Sequence, residues 1–271
     1  IDAFSGVELM RFDTDFAPQG VSVSADGTRL YVHNFMGRSV GIYDVSGLVN
    51  NGIVSATLLD TVATVANESL PGNVLLGKQL FYDARDDRLA ALDYMSCASC
   101  HNDGSDDGRV WDFTSMGEGL RNTISLNGRA GMAHGALHWS ANFDEVQDFE
   151  GQIRGFAGGT GLMSNSDFFA GTRAEPLGDP KAGISTDLDA LAAYVASLDE
   201  APQSPFRGLD REFDAVALAG VDVFRASGCG SCHTPASMTD SSDGNGVHNI
   251  GTMTGASGQR LGGALTGIDT P

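Results

Sequence analysis

Cys97-Ala98-Ser99-Cys100-His101 and Cys229-Gly230-Ser231-Cys232-His233 are the two stretches around which the chain is organised. Each has the pattern CxxCH, in which two thiols can add to the vinyl groups of a haem and the next imidazole can bind its iron. The chain has 4 cysteines, and all of them fall in these stretches. This arithmetic predicts two covalently bound haem c groups, although a zinc site or a redox CxxC uses the same residue types.

Length and charge narrow the class of protein further. With 271 residues the chain is long enough for two domains, each with its own core. A formal net charge of −19 and a pI near 4.4 exclude nucleic acid as a partner, because few basic groups are present to neutralise phosphates. The acidic surface is either simply solvated or a docking face for a small basic redox protein that donates electrons. No apolar run is long enough to predict a membrane span.

Residues 1–66 have the alternating pattern of β-strands. Residues 20–24 and 29–33 are predicted to form a hairpin around an Asp-Gly turn, and residues 39–45 and 53–61 follow as further strands. The stretch APQGVSVSADGTRLYVHNFMGRSVGIYDVS resembles the repeat of YVTN-type β-propellers, with His33 where Thr is usual. Such a blade needs neighbours, so further blades are expected elsewhere in the natural chain. The alternative is a small β-extension packed on the next domain.

From residue 67 the periodicity becomes helical. Residues 74–81, 144–154, 187–198 and 213–226 are predicted helices, and the last of them leads into Cys229. Residues 202–205 have the composition of a linker. The predicted fold is therefore mainly α, with two cytochrome c-like haem domains, 67–203 and 204–271, preceded by a short propeller-blade-like β segment. We expect the second haem domain to stop short of its natural C-terminus.

Outside the haem stretches, several segments resemble one known family. LLGKQLFYDARDDRLAALDYMSCASCH, Arg121-Asn122-Thr123, HWSANFDEVQDFE and GVDVFRASGCGSCHTP are similar to bacterial dihaem cytochrome c peroxidases and MauG. The resemblance covers roughly residues 70–271. It implies an oxidoreductase in the periplasm or on the cell surface that reduces hydrogen peroxide with electrons passed from the second haem to the first.

The resemblance also assigns roles to single residues. Trp139 matches a tryptophan that carries electrons between the haems, and Asn122 matches a position that helps to hold Ca²⁺. The region where relatives carry the catalytic Glu is residues 158–162 here, and it has no carboxylate. Glu150 is the nearest candidate to replace it, with Gln147 as another.

The group on the far side of each iron decides between catalysis and electron transfer. Where relatives have a blocking histidine, this chain has Met116, so either Met116 or a histidine of residues 131–139 binds the first iron, or the far side of the iron stays open. His138 is the preferred ligand, because it adjoins Trp139; the other choices are Met132 and His134. For the second haem the choices are Met238, His248, Met253 or a residue beyond the segment. Two strongly ligated irons would make a plain electron carrier, and a MauG-like oxidase or a partner-binding module also remains open.

Overall fold

The computed structural model describes residues 1–208, 210, 212–235, 237–241 and 246–270. Contacts divide the chain into one unit of Ile1–Gly72 with Tyr82–Ala84 and another of Asn73–Phe81 with Arg85–Pro271. Both predicted haem domains, 67–203 and 204–271, fall mainly in the second unit. A few residues of the predicted second domain, among them Pro271, lie outside the described part of the chain.

The first unit contains a four-stranded antiparallel sheet in the order β1-β2-β3-β4. Its strands are β1 (Pro18–Val23), β2 (Arg29–Asn34), β3 (Ser39–Asp44) and β4 (Thr57–Ala63), and a short helix α1 (Ser46–Asn51) precedes β4. The predicted hairpin is confirmed, and the fourth strand begins four residues later than the pattern indicates. The Asp26 carboxylate accepts hydrogen bonds from the Ser24 hydroxyl and the Thr28 amide, which fixes the hairpin turn.

Burial in this sheet is confined to its middle strands. Val32 and Asn34 of β2 and Ser39 and Tyr43 of β3 are buried, whereas every residue of the outer strands β1 and β4 is exposed. Within this unit the outer strands β1 and β4 are therefore not covered by other residues.

Five helices belong mainly to the second unit. They are α2 (Gly72–Tyr82), α3 (Phe149–Gly155), α4 (Asn165–Phe168), α5 (Thr186–Ala196) and α6 (Ala215–Ala226). Side-chain caps fix three of the starts: Ser164 accepts from the Asp167 amide at α4, Ser185 from the Leu188 amide at α5, and Asp214 from the Ala217 amide at α6. Three of the predicted helices are confirmed. The fourth, predicted from residue 144, instead begins with a 3₁₀ turn at Val146–Asp148 before α3.

Helices α2 and α5 touch at Gly77. A Cβ atom at this position would lie 1.8 Å from the carbonyl oxygen of Ala190, so only glycine permits the approach. One turn further on, the rings of Phe81 and Tyr194 pack edge to face with centroids 5.0 Å apart. This crossing forms one wall of the candidate site described below.

The rest of the second unit is largely irregular. Two short strands, β5 (Val110–Phe113) and β6 (Gly119–Asn122), form a ribbon, and β8 (Gln259–Arg260) with β9 (Gly263–Ala264) forms another. A third pair joins β7 (Val247–His248) to β10 (Ile268–Asp269). Helices account for 27% of the chain and strands for 18%, so helix exceeds strand without dominating the fold. Among the described residues no helix is both long and apolar enough to cross a membrane.

Candidate haem site

The first CxxCH stretch forms a tight turn at the edge of a cavity. Cys97–Ser99 is a 3₁₀ turn whose start is held by reciprocal hydrogen bonds between Ser96 and Ser99. The amides of Cys100 and His101 both donate to the carbonyl of Cys97. This turn brings both cysteines and His101 to the lining of one cavity of about 240 Å³.

The walls of this cavity are mainly apolar and come from distant parts of the chain. Leu80 and Phe81 come from α2, and Leu191 and Val195 from α5. Further apolar walls come from β5, α3 and the segment between them, through residues that include Trp111, Leu137, Phe149, Ile153 and Phe156. An apolar cavity with two thiols and an imidazole at its edge fits a haem c group, whose ring is apolar and whose vinyl groups react with thiols.

Burial keeps the groups at this edge neutral. It raises the pKa of the Cys97 thiol to about 11, and it also raises the pKa of Cys100. Burial likewise lowers the pKa of His101, against the opposing effect of its hydrogen bond to Ser105. His101 Nδ1 lies 3.3 Å from the Ser105 carbonyl oxygen and donates to it, which leaves the Nε2 lone pair for a metal.

His138 lines the same cavity as His101. Its Nδ1 lies 2.8 Å from Asn142 Oδ1, and Asn142 Nδ2 in turn donates to Glu118. Because the amide of Asn142 is oriented by Glu118, Nδ1 of His138 carries the proton and Nε2 keeps its lone pair. Gln152 donates from its Nε2 to this atom at 3.1 Å.

His138 is one of eleven described non-glycine residues with a positive φ angle, so its backbone alone does not mark it as functional. Its φ angle is 69°, in the left-handed region that a non-glycine residue rarely adopts and that costs ~1–3 kcal/mol. Of the four residues that the sequence offers as partners for the first iron, only His138 lines this cavity. Met116 lines a neighbouring cavity, and Met132 packs against an apolar cluster.

Glu118 is the carboxylate that the sequence interpretation missed. It is 3% exposed, lines the cavity, and accepts from the Ser140 hydroxyl and the Asn142 amide at 2.5 Å each. Its Oε1 lies 3.4 Å from His138 Nδ1. Burial raises the pKa of the Glu118 carboxyl, but hydrogen bonds from His138 and Ser140 and the positive charge of Arg121 outweigh burial and hold this pKa below its usual value.

One oxygen of Glu118 lacks a hydrogen-bond partner among the described residues. Oε2 is buried and lies 3.8 Å from Nε of Arg121, which is also buried without such a partner. A buried polar atom of this kind usually pairs with a bound molecule or water. Sequence spacing contained one available signal for this pair, since Glu118 directly precedes β6 and Arg121 follows three residues later within it.

Trp139 and Asn122 also line the cavity and are hydrogen-bonded to each other. Trp139 Nε1 donates to the Asn122 carbonyl at 3.1 Å, and the Trp139 carbonyl accepts from the Asp269 amide at 2.6 Å. Trp139 thus joins the first haem region to the strand β10 near the second CxxCH stretch.

The structure does not bring the Glu150 carboxylate to the cavity. Glu150 is fully buried, pairs with Arg154 at 2.8 Å, and accepts from the amides of Leu162 and Met163. These contacts lie within α3 or hold the chain that follows it. A catalytic role for Glu150 stays a prediction, and these contacts favour a structural role instead. Gln147 is likewise directed elsewhere, since it donates to Asp189.

The second CxxCH stretch forms the same kind of turn in different surroundings. Cys229–Ser231 is a 3₁₀ turn that follows α6, and His233 Nδ1 lies 2.9 Å from the Met238 carbonyl oxygen. Cys229 is exposed. Within the described residues one cluster has metal-binding character, and it consists of Cys232, Asp240 and His248, with Asp240 accepting from His248 at 2.7 Å.

Comparison with known proteins identifies the family of this chain. Residues 71–212, just over half of the chain, match the family model described as di-haem cytochrome c peroxidase. The chain belongs to the di-haem cytochrome c peroxidase family, for which haem c is the implied cofactor.

The chain is also similar to two individual proteins. The cytochrome c551 peroxidase of Pseudomonas aeruginosa is 28% identical over 182 residues, which are 58% of this chain and 49% of the relative. The chain therefore spans about half the length of this curated relative. A solved structure of Kuenenia stuttgartiensis hydrazine synthase under xenon aligns with a TM-score of 0.39 at 25% identity, covering 63% of this chain and 50% of that one.

Proposed function

We propose that the chain is the haem-bearing part of a periplasmic peroxidase with two haem c groups, one on Cys97, Cys100 and His101 and one on Cys229, Cys232 and His233. The observation that carries the proposal is a single cavity that contains the first CxxCH stretch and a hydrogen-bonded polar set around His138. The domain limits expected for this arrangement are 67–203 and 204–271. Residues 1–66 would form one blade of a propeller, which agrees with the exposed outer strands β1 and β4.

The proposed reaction takes one hydrogen peroxide, two protons and two electrons to two molecules of water, with cleavage of the O–O bond. Haem c, when bound, supplies the iron and the electron transfer. Cleavage requires a base that moves a proton between the oxygens and a donor that stabilises developing charge. The lone pair on His138 Nε2 can take the proton, and the Gln152 amide can donate to the oxygen that becomes negative.

Electrons would come from a small redox protein through the second haem. The acidic chain, with a formal net charge of −19, favours a basic donor. Trp139 is the proposed link, because it lines the first cavity and its carbonyl is bonded to Asp269 of β10. Ca²⁺ near Asn122 is a further proposal, supported only by the family resemblance.

The test uses the intact haem-loaded protein with peroxide and a reduced donor. We expect peroxide-dependent donor oxidation that falls ~10²–10⁴-fold in His138→Ala, since that is the usual contribution of a general base. Gln152→Leu should reduce the rate less. His134→Ala is the matched control, because His134 is in the same loop without lining the cavity. Absence of peroxide turnover in the loaded wild-type protein would remove the proposal.

A plain electron-transfer cytochrome is the second candidate, and one observation favours it. His138 keeps its Nε2 lone pair in the cavity that also holds His101, so both imidazoles can bind the same iron. Two low-spin signals in electron paramagnetic resonance, unaffected by peroxide in the oxidised and half-reduced protein, would support this candidate. A MauG-like oxidation of a larger substrate would instead show as peroxide consumption that requires that substrate.

A further inference from the structure

A second, smaller cavity lies behind the polar residues of the haem cavity. Its volume is about 140 Å³, and we refer to it as the polar chamber. Two residues, Glu118 and Gln152, line both cavities, so they form a shared wall. Nothing in the proposed reaction described above uses this chamber.

The chamber runs from the protein surface to buried side chains. Ala174, Glu175 and Pro176 are exposed and form its outer side, whereas Glu118 and Asn142 are buried and form its inner side. The chamber therefore connects solvent to the residues that hold His138 in place.

Most of the residues that line the chamber are polar or charged, and their charges nearly balance. Lys181 and Asp148 form a buried ion pair at 2.5 Å, and Arg173 and Glu175 add one charge of each sign. Such a lining favours small neutral molecules that form hydrogen bonds over ions of either sign. The volume suffices for several molecules of water, each of which occupies ~30 Å³ in the liquid.

The buried Oε2 atom of Glu118 points to the same kind of molecule. It has no hydrogen-bond partner in the described part of the chain, and the next polar atom, Nε of Arg121, is 3.8 Å away. A small molecule that both donates and accepts hydrogen bonds, such as water or hydrogen peroxide, can donate to Glu118 Oε2 and accept from Arg121 Nε.

We propose that the polar chamber admits and holds a small neutral hydrogen-bonding solute, hydrogen peroxide or the water that replaces it, beside Glu118 and Gln152 before it reaches the first haem. This inference rests on the proposed function for the identity of the solute. The access route itself depends only on a haem in the first cavity.

Gly151 offers a way to block the chamber without touching the polar set. It lines the chamber from α3, and a Cβ atom there would meet no other atom within 4 Å. In Gly151→Leu of the haem-loaded protein, we expect the second-order rate constants for peroxide reaction and cyanide binding to fall about tenfold, the effect of a barrier raised by ~1.4 kcal/mol. Gly151→Ala is the matched control and should keep both rates. Association of carbon monoxide with the reduced haem should also stay unchanged, because this apolar molecule can reach the haem along the apolar walls of the first cavity.

Two further measurements keep the inference testable. If Gly151→Leu fails to load haem, Ala174→Leu at the exposed outer side replaces it, with the same expected slowing. If His138 blocks cyanide in the wild-type protein, the chamber variants are compared in a His138→Ala background. Wild-type cyanide rates in both blocked variants would overturn the chamber route. Slower cyanide binding with no peroxide turnover in any variant would keep the route and remove the proposed peroxidase function.

Discussion

The two CxxCH stretches form nearly the same 3₁₀ turn, yet their surroundings differ sharply. Around the first, helices α2 and α5 supply apolar walls, and His101 lines an internal cavity. Around the second, Cys229 is exposed and no described side chain of α6 is buried. On α6, Val216 and Val223 are 77% and 65% exposed. Five local residues therefore suffice for the attachment turn, whereas a haem pocket requires walls from distant segments.

Loss of a buried charge should have the largest effect, and it should fall on the first region. Lys181 and Asp148 are 2% and 1% exposed, so Lys181→Met leaves an uncompensated carboxylate inside the protein. We expect a loss of ~3–5 kcal/mol in the free energy of unfolding, measured by denaturant titration of the loaded protein. The double variant Lys181→Met with Asp148→Asn should recover part of this. Equal stability of the single variant and wild type would show that the first region is less tightly packed than its contacts indicate.

Gly77→Ala tests the helix crossing that forms a wall of the first cavity. The added methyl group would overlap the Ala190 carbonyl, so α2 and α5 must separate. The expected cost is ~3 kcal/mol of unfolding free energy, together with a changed absorption spectrum of the first haem only. A Gly77→Ala protein with unchanged stability and spectrum would contradict the close approach.

Asp269 tests the strand that links the two regions. Burial raises the pKa of its carboxyl to about 6, partly offset by hydrogen bonds and by Arg129. Because the folded state holds this proton more tightly than the unfolded state, the free energy of unfolding should fall as pH rises from about 4 to 6. Asp269→Asn should remove ~2 kcal/mol of this pH dependence and be more stable than wild type at pH 7. An identical pH slope in both proteins would show that Asp269 is solvated.

Gly220→Ala should have the smallest effect, with the opposite sign. Gly220 lies within α6, and a Cβ atom there would meet nothing within 4 Å. We expect a gain of ~0.5–1 kcal/mol from helix propensity, read as a higher unfolding midpoint. Together with Gly77→Ala, this makes the same substitution in one helix of each region. A loss of stability in Gly220→Ala would mean that α6 is packed against something, and the contrast between the regions would weaken.

The sequence predicts the elements whose signals are local. The hairpin of residues 20–33, the helices α2, α5 and α6, and both attachment turns follow from periodicity, caps and short spacings. The start of α3 differs from the prediction because Val146–Asp148 forms a tighter turn, in which the polar side chains of Gln147 and Asp148 are buried beside Val146.

The polar set of the site could not be predicted in the same way. Glu118 is linked to His138 through a hydrogen bond with Asn142. Glu118 and Asn142 are 24 residues apart along the chain. Such contacts depend on how the residue before β6 packs against residues 138–142, and no short pattern encodes that. The same reason explains Glu150, whose position near Trp139 in sequence suggested the cavity but whose carboxylate is used by Arg154 and the chain after α3.

The placement of Cys97 bears on the order of events during biogenesis. Its thiol faces an internal cavity whose walls come from segments on both sides of it in sequence, and burial raises its pKa to about 11. A thiol so protonated is a poor nucleophile, and a flat macrocycle needs open space to approach it. We therefore expect the first haem to be joined to a still open polypeptide, with the walls assembling around the haem afterwards.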